Sequence, residues 1–143
     1  MESNRIERIY RPPFKYEVKA HDVLWRKPYL KVTDVERFVW VVAKVPIRHL
    51  FGQNVTVNGH RAPIGGPQIV DELKKLLHRV SLDSRFDPHE AHCQYEALHP
   101  FLDGNGRSGR AVWAWHMRKH GLDPFLRPFL QEFYYQSLSA YRR

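Results

Sequence analysis

The chain has 143 residues, the size of one domain, and its 43% apolar and 27% charged content excludes disorder throughout. An excess of 23 Lys and Arg over 15 Asp and Glu gives a net charge of +8, which favours acidic partners (nucleic acid, nucleotide phosphates, acidic protein surfaces, anionic lipid) without choosing among them. Cys93 is the single cysteine, so an intrachain disulfide is excluded and a reducing, cytoplasmic setting is expected. The first residues lack the apolar core of an export signal, and no run of about eighteen apolar residues predicts a membrane span. Specialised secretion into another cell leaves no such mark and stays compatible with this reading.

Residues 1–32 mix charges with Pro12, Pro13 and Pro28, and the alternation of Tyr16, Val18 and Ala20 is too brief for a strand. They read as an N-terminal extension packing on a domain of residues 33–143. Thr33 followed by Glu36 reads as a capping box opening a helix through Val35, Phe38, Val39 and Val42, which Pro46 must end. In NVTVNGHRA, Val55 and Val57 alternate with polar residues, and Asn58-Gly59 suits a tight turn, which predicts a hairpin. Gly66 and Pro67 start a helix in which Ile69, Val70, Leu73, Leu76, Leu77 and Val80 keep helical spacing. Asp87, Pro88 and Glu90 supply an N-cap, a first-turn proline and a capping partner for a helix reaching about Leu98, leaving His99 just past its end. A further helix is predicted from Arg107 to His120, closed by Gly121, and a last one from Pro128 to Tyr141. The fold class is all-α, a compact helical domain with one short β-hairpin.

The chemistry concentrates in HPFLDGNGRSGR, His99 to Arg110. Gly104 and Gly106 let the backbone turn sharply and approach a ligand, and the N–H groups of the following helix N-terminus point at whatever anion sits there. Arg107 and Arg110, three apart on that first turn, share a face and offer forked donors to a polyphosphate. Asp103 is a hard oxygen ligand where a phosphate-bridging Mg²⁺ needs one. His99, four residues earlier, is a plausible proton acceptor for an incoming hydroxyl.

This stretch resembles the Fic-family motif HxFx(D/E)GN(G/K)RxxR, and every fixed position is matched. The resemblance extends back through His92, Tyr95, Glu96, Ala97 and Leu98 and on to Tyr134, Tyr135 and Leu138, covering roughly residues 33–143; residues 1–32 resemble nothing nameable. It implies an all-α fold around the loop and transfer of AMP from Mg²⁺-bound ATP to a Ser, Thr or Tyr hydroxyl of a target protein. By position, His99 would deprotonate the hydroxyl and Asp103 would hold Mg²⁺. Gly104, Asn105 and Gly106 would form an anion hole, and Arg107 and Arg110 would hold the β and γ phosphates. Phe101 would anchor the loop in the core. The segment Asn54, Val55, Thr56, Val57, Asn58, Gly59, His60 and Arg61 resembles the family's flap, a short one here, which receives an extended target segment by strand addition.

Family relatives also transfer UMP, phosphocholine or the γ-phosphate, but Gly106 stands where the phosphate-transferring branch typically has Lys. Many relatives carry an inhibitory helix with (S/T)xxxE(G/N). The one candidate here, with Ser3 and Glu7, has Arg8 where Gly or Asn belongs. Inhibition is therefore expected from a separate partner whose glutamate reaches Arg110, as in the family's toxin and antitoxin pairs.

Other readings are weaker. GNGRSG, residues 104–109, fits GxGxxG, but a capped polar helix leads in where a dinucleotide site needs a buried strand. His89, His92 and Cys93 lack the spacing of a zinc helix, so His92 reads as a packed residue and Cys93 as a small buried apolar one. Trp113 and Trp115 read as core and rim. A basic nucleic-acid-binding module is the alternative class, but the Lys and Arg residues are scattered and no recognition motif supports it.

Overall fold

The computed structural model describes residues 15–57 and 59–122. Five helices are seen: α1 (Lys15–Trp25), α2 (Val32–Val42), α3 (Pro67–Leu82), α4 (Pro88–Leu98) and α5 (Asn105–Lys119). A two-residue antiparallel pair, β1 (Thr56–Val57) with β2 (His60–Arg61), lies between α2 and α3. The fold is all-α with one small hairpin. The expected helix from Pro128 to Tyr141 lies outside the described residues, as do residues 1–14 and Asn58.

The helices α2 and α3 bury the stripes their spacing predicts, apart from Val70, which is half-buried. Val35, Phe38, Val39 and Val42 line one side of α2, and Ile69, Leu73, Leu76, Leu77 and Val80 one side of α3. Burying a side chain of this kind stabilises by about 1.5–3 kcal/mol before chain entropy is charged against it. The fifth helix is the axis of the domain, packing against the four others, and Ala111, Val112, Trp113, Trp115, His116 and Met117 are all buried on it. Its most extensive partner is α4, and the approach is close. A Cβ on Gly109 would stand 2.6 Å from Glu96 Oε1 and 3.0 Å from Tyr95 Cδ1, so only glycine fits. The Tyr95 hydroxyl crosses this seam to Ser108 Oγ at 2.6 Å.

Four local expectations are corrected. The α2 helix starts at Val32 with Lys31 as N-cap, and Asp34 Oδ2, not Glu36, accepts from the cap backbone N–H at 2.9 Å. The stretch before residue 33 is not irregular throughout, because α1 occupies Lys15–Trp25 and buries Ala20 and Leu24 in the common core. Cys93 is exposed, since the buried face of α4 carries Ala91, Tyr95 and Leu98 and Cys93 lies off it. Trp115 is core like Trp113, and its Nε1 donates to Lys27 O at 2.9 Å.

The Asp87 cap forms, with Oδ2 accepting from Glu90 N at 3.0 Å, and α4 ends at Leu98 with His99 as its C-cap. Gly59, with φ +83°, supplies the positive-φ position of the hairpin turn. No described helix is long and apolar enough to cross a membrane.

Candidate active site

His99 takes the left-handed conformation, φ 51° and ψ 61°, that more often falls to glycine at a helix end. This turns the chain out of α4 and sends Phe101 inward, where it is fully buried and bridges to Ile47. Asn105 then closes the loop, accepting from Phe101 N at 2.8 Å and donating to Phe101 O at 2.7 Å. Gly104, with φ +77°, reverses the backbone into α5, and its Cα packs so close to α2 that an added Cβ would lie 3.0 Å from Ala43 Cβ. The first N–H groups of α5, from Asn105, Gly106 and Arg107, have no carbonyl one turn earlier in the helix to bond, which leaves the positive end of the helix dipole at this turn.

The two arginines diverge. Arg107 is 6% exposed and turns beneath the loop, where Nη1 donates to Val42 O at 2.7 Å and so caps the C-terminus of α2. Its Nη2 lies 3.9 Å from Asp103 Oδ1, which also accepts from Gly104 N at 2.7 Å. Asp103 is exposed, and both of these contacts engage one carboxylate oxygen. Arg110 instead folds back over the helix start, its Nη1 2.6 Å from where a Gly106 Cβ would be. A guanidinium thus stands over the N-terminal turn.

Glu96, one turn before His99, acts on Arg110 from α4. Burial pushes the Glu96 carboxyl upward and Arg110 opposes that; burial pulls the Arg110 guanidinium downward, Glu96 opposes it and Arg107 adds to it. His92 Nε2 is 3.7 Å from Glu96 Oε1, and the His92 ring stacks on Trp113. Burial first, with the Arg110 charge second, holds His92 near a pKa of about 4, so it packs as a neutral ring. No group of His, Cys, Asp and Glu among the described residues is arranged as a metal cluster.

The His99 imidazole has its Nδ1 3.3 Å from Glu96 O. A carbonyl only accepts, so this contact is met by the Nδ1–H tautomer, leaving Nε2 with its lone pair. Burial lowers the His99 pKa below the usual 6.5; the Glu96 carbonyl opposes the shift and the Arg48 charge adds to it. At neutral pH the ring is therefore a neutral proton acceptor.

Beside it opens a cleft of about 410 Å³ walled by Asn54, Val55, Thr56, Arg61, His99 and Leu102. The hairpin that the sequence singles out and the histidine 38 residues beyond its last member, Arg61, share this cleft. Sequence reasoning missed three features. The Asn105 side chain is spent on loop closure, Glu96 stands by Arg110, and Arg48 is buried behind His99. Only the lead-in helix spacing, which sets Glu96 three residues before His99, hinted at any of these.

Residues 49–117, from the segment leading into the hairpin through most of α5, match the model of the Fic/DOC family, which supports a Fic domain over this stretch and a Fic-type transferase function in general.

Proposed function

We propose that the domain transfers AMP from ATP to a Ser, Thr or Tyr hydroxyl of a target protein. The observation that carries this reading is the shared cleft: a neutral His99 with a free ring nitrogen faces the hairpin across it, and the loop of residues 100–104 leads from His99 to the α5 N-terminus. The target hydroxyl oxygen attacks the α-phosphorus, and its proton passes to His99 Nε2. The bond from the α-phosphorus to the bridging oxygen breaks, and pyrophosphate leaves.

The backbone N–H groups at Asn105 and Gly106 face the charge that builds on the phosphates, after the sharp turn at Gly104. Arg110 reaches the outer phosphates from above Gly106, and Arg107 steadies Asp103 from beneath the loop. Asp103, exposed and offering hard carboxylate oxygen, is the residue that would hold Mg²⁺, which when bound offsets negative charge on the bridging phosphate oxygens. The flap residues Asn54 to Arg61 receive an extended target segment along the free edge of the hairpin. In a cell this activity is that of a cytoplasmic toxin held in check by a separate antitoxin protein.

The test is to incubate the full chain and a cell extract with ATP labelled at the α or the γ phosphate. Label retained in protein from the α position alone is expected. Label from γ alone means phosphorylation and rejects AMP transfer.

A further inference from the structure

Arg48 is fully buried, 0% exposed, yet among the described residues its hydrogen-bond partners are carbonyls and not a carboxylate. Its Nε donates to His99 O at 2.7 Å and Nη2 to Leu98 O at 2.8 Å. Its Nη1 donates to Gln53 O at 3.0 Å and to Pro63 O at 2.8 Å. The first pair is the C-terminus of α4, whose dipole favours a cation there. The second pair flanks the hairpin, one carbonyl on each side of β1 and β2.

We propose that Arg48 is a positioning residue of the transfer reaction, a single guanidinium that fixes the catalytic His99 and both roots of the target-receiving hairpin in one frame.

Three physical points lead there. A buried cation is costly unless its donors are met, and four carbonyls meet four of the five N–H groups of this fork. Lysine, a point donor on a flexible stem, cannot span both pairs. His99 has a side chain yet sits at positive φ, a conformation that favours glycine, and its carbonyl in that conformation is the one Arg48 Nε grips. The hairpin roots also pack tightly. A Cβ on Gly65 would lie 2.7 Å from both Gln53 O and Leu50 O, so the chain crosses itself where Nη1 bonds. The backbone of Arg48 completes the frame, its N donating to Pro100 O at 2.8 Å and its O accepting from Gly66 N at 3.0 Å.

The inference rests on the AMP-transfer reading for its activity readout, and the experiment separates the two. Wild type, Arg48→Lys, His99→Ala and the double variant are assayed for α-labelled ATP incorporation into one cell extract over a range of ATP concentrations. Arg48→Lys should lower the rate at saturating ATP by about 100-fold, the scale expected for misplacing a reacting group, with KM for ATP within about twofold of wild type. In the His99→Ala background Arg48→Lys should cost much less than in the wild type, because only its hold on the hairpin is then left to lose; an equal fold-loss in both backgrounds overturns the inference. A wild-type rate in Arg48→Lys, or a rise in KM matching the fall in rate, overturns the inference. If Arg48→Lys does not fold, Gly65→Ala decides, since it spreads the hairpin roots without touching the guanidinium. The same rate loss is expected of it, and an unchanged rate overturns the inference. If the wild type transfers no label, the AMP-transfer reading fails by itself. The positioning role is then read from the His99 imidazole nitrogen resonances, which should differ between wild type and Arg48→Lys; identical resonances overturn it.

Discussion

Asn105 and Phe101 are joined by a reciprocal pair of hydrogen bonds, 2.8 Å from Phe101 N to Oδ1 and 2.7 Å from Nδ2 to Phe101 O. Both residues are buried, so Asn105→Ala leaves an N–H and a carbonyl without partners. We expect a loss of about 2–4 kcal/mol, measured by urea unfolding. Asn105→Asp keeps the acceptor but sets a carboxylate oxygen against Phe101 O, and should be at least as damaging. A change under about 0.5 kcal/mol in Asn105→Ala would show that the loop does not depend on this closure.

The sequence made the helices legible wherever an apolar stripe was long or a cap was strong. Asp87 with Glu90 marked the start of α4, and Gly66 with Pro67 the start of α3, because local hydrogen bonding and a fixed φ act without tertiary help. The α2 start was misread by two residues, since Asp34 and Glu36 are both credible cap partners and only the packing of Val32 against the core decides. The helix at Lys15–Trp25 was hidden because its buried face is short and shared with charged residues, Glu17 among them. At the site, the motif gave the residue types but not their directions. Arg107 and Arg110 share a face by spacing, yet one caps α2 and the other folds over Gly106. Arg48 has no spacing signature at all, because its partners are backbone carbonyls from three separate segments.

His99 and Arg110 should separate binding from chemistry. His99→Ala should lower AMP transfer by at least about 1,000-fold while ATP affinity, measured by calorimetry with a non-hydrolysable analogue, stays within about twofold. Arg110→Ala should weaken nucleotide binding by about tenfold or more and slow turnover as well, since it removes a forked phosphate contact. Near-normal transfer in His99→Ala would reject its role as base.

Acid should act on rate and on stability by different groups. Burial lowers the His99 pKa from 6.5, so transfer should rise with pH through a midpoint below 6.5 and level off above it. His21, His92 and His116 are each held near a pKa of about 4, in every case first by burial. Between about 4 and 6.5 the unfolded chain therefore binds more protons than the folded one. Their stabilisation is fully present above 6.5 and is lost as pH falls toward 4. Melting temperature should drop between pH 7 and pH 5; an unchanged value would contradict the buried neutral state.

Gly109→Ala tests the seam between α4 and α5. The new methyl would meet Glu96 Oε1 at 2.6 Å and the Tyr95 ring at 3.0 Å, and the ring, fully buried, has nowhere to go. We expect about 1–3 kcal/mol of destabilisation and, because Glu96 is pushed from its place beside Arg110, weaker ATP binding. Gly106→Ala is the control. Its methyl meets only the end of the Arg110 side chain, so stability should hold while ATP affinity changes.

Control of the activity gives the last expectation. A domain that transfers AMP as proposed would need restraint, and an inhibiting carboxylate would find Arg110 over the α5 N-terminus. Ser3 and Glu7, the one internal candidate by spacing, lie outside the described residues and have Arg8 where the inhibitory motif has Gly or Asn. Within the domain, the charge of Glu96 already acts on Arg110, but from α4. A separate partner protein presenting a glutamate is therefore the expected inhibitor. Expressed alone, the wild-type chain should slow growth, and His99→Ala should abolish the effect at equal protein level. Arg110→Ala should also relieve toxicity, through lost nucleotide binding. If the isolated wild type is inactive and Glu7→Gly turns on AMP transfer, the inhibitor is part of this chain and the partner expectation is wrong.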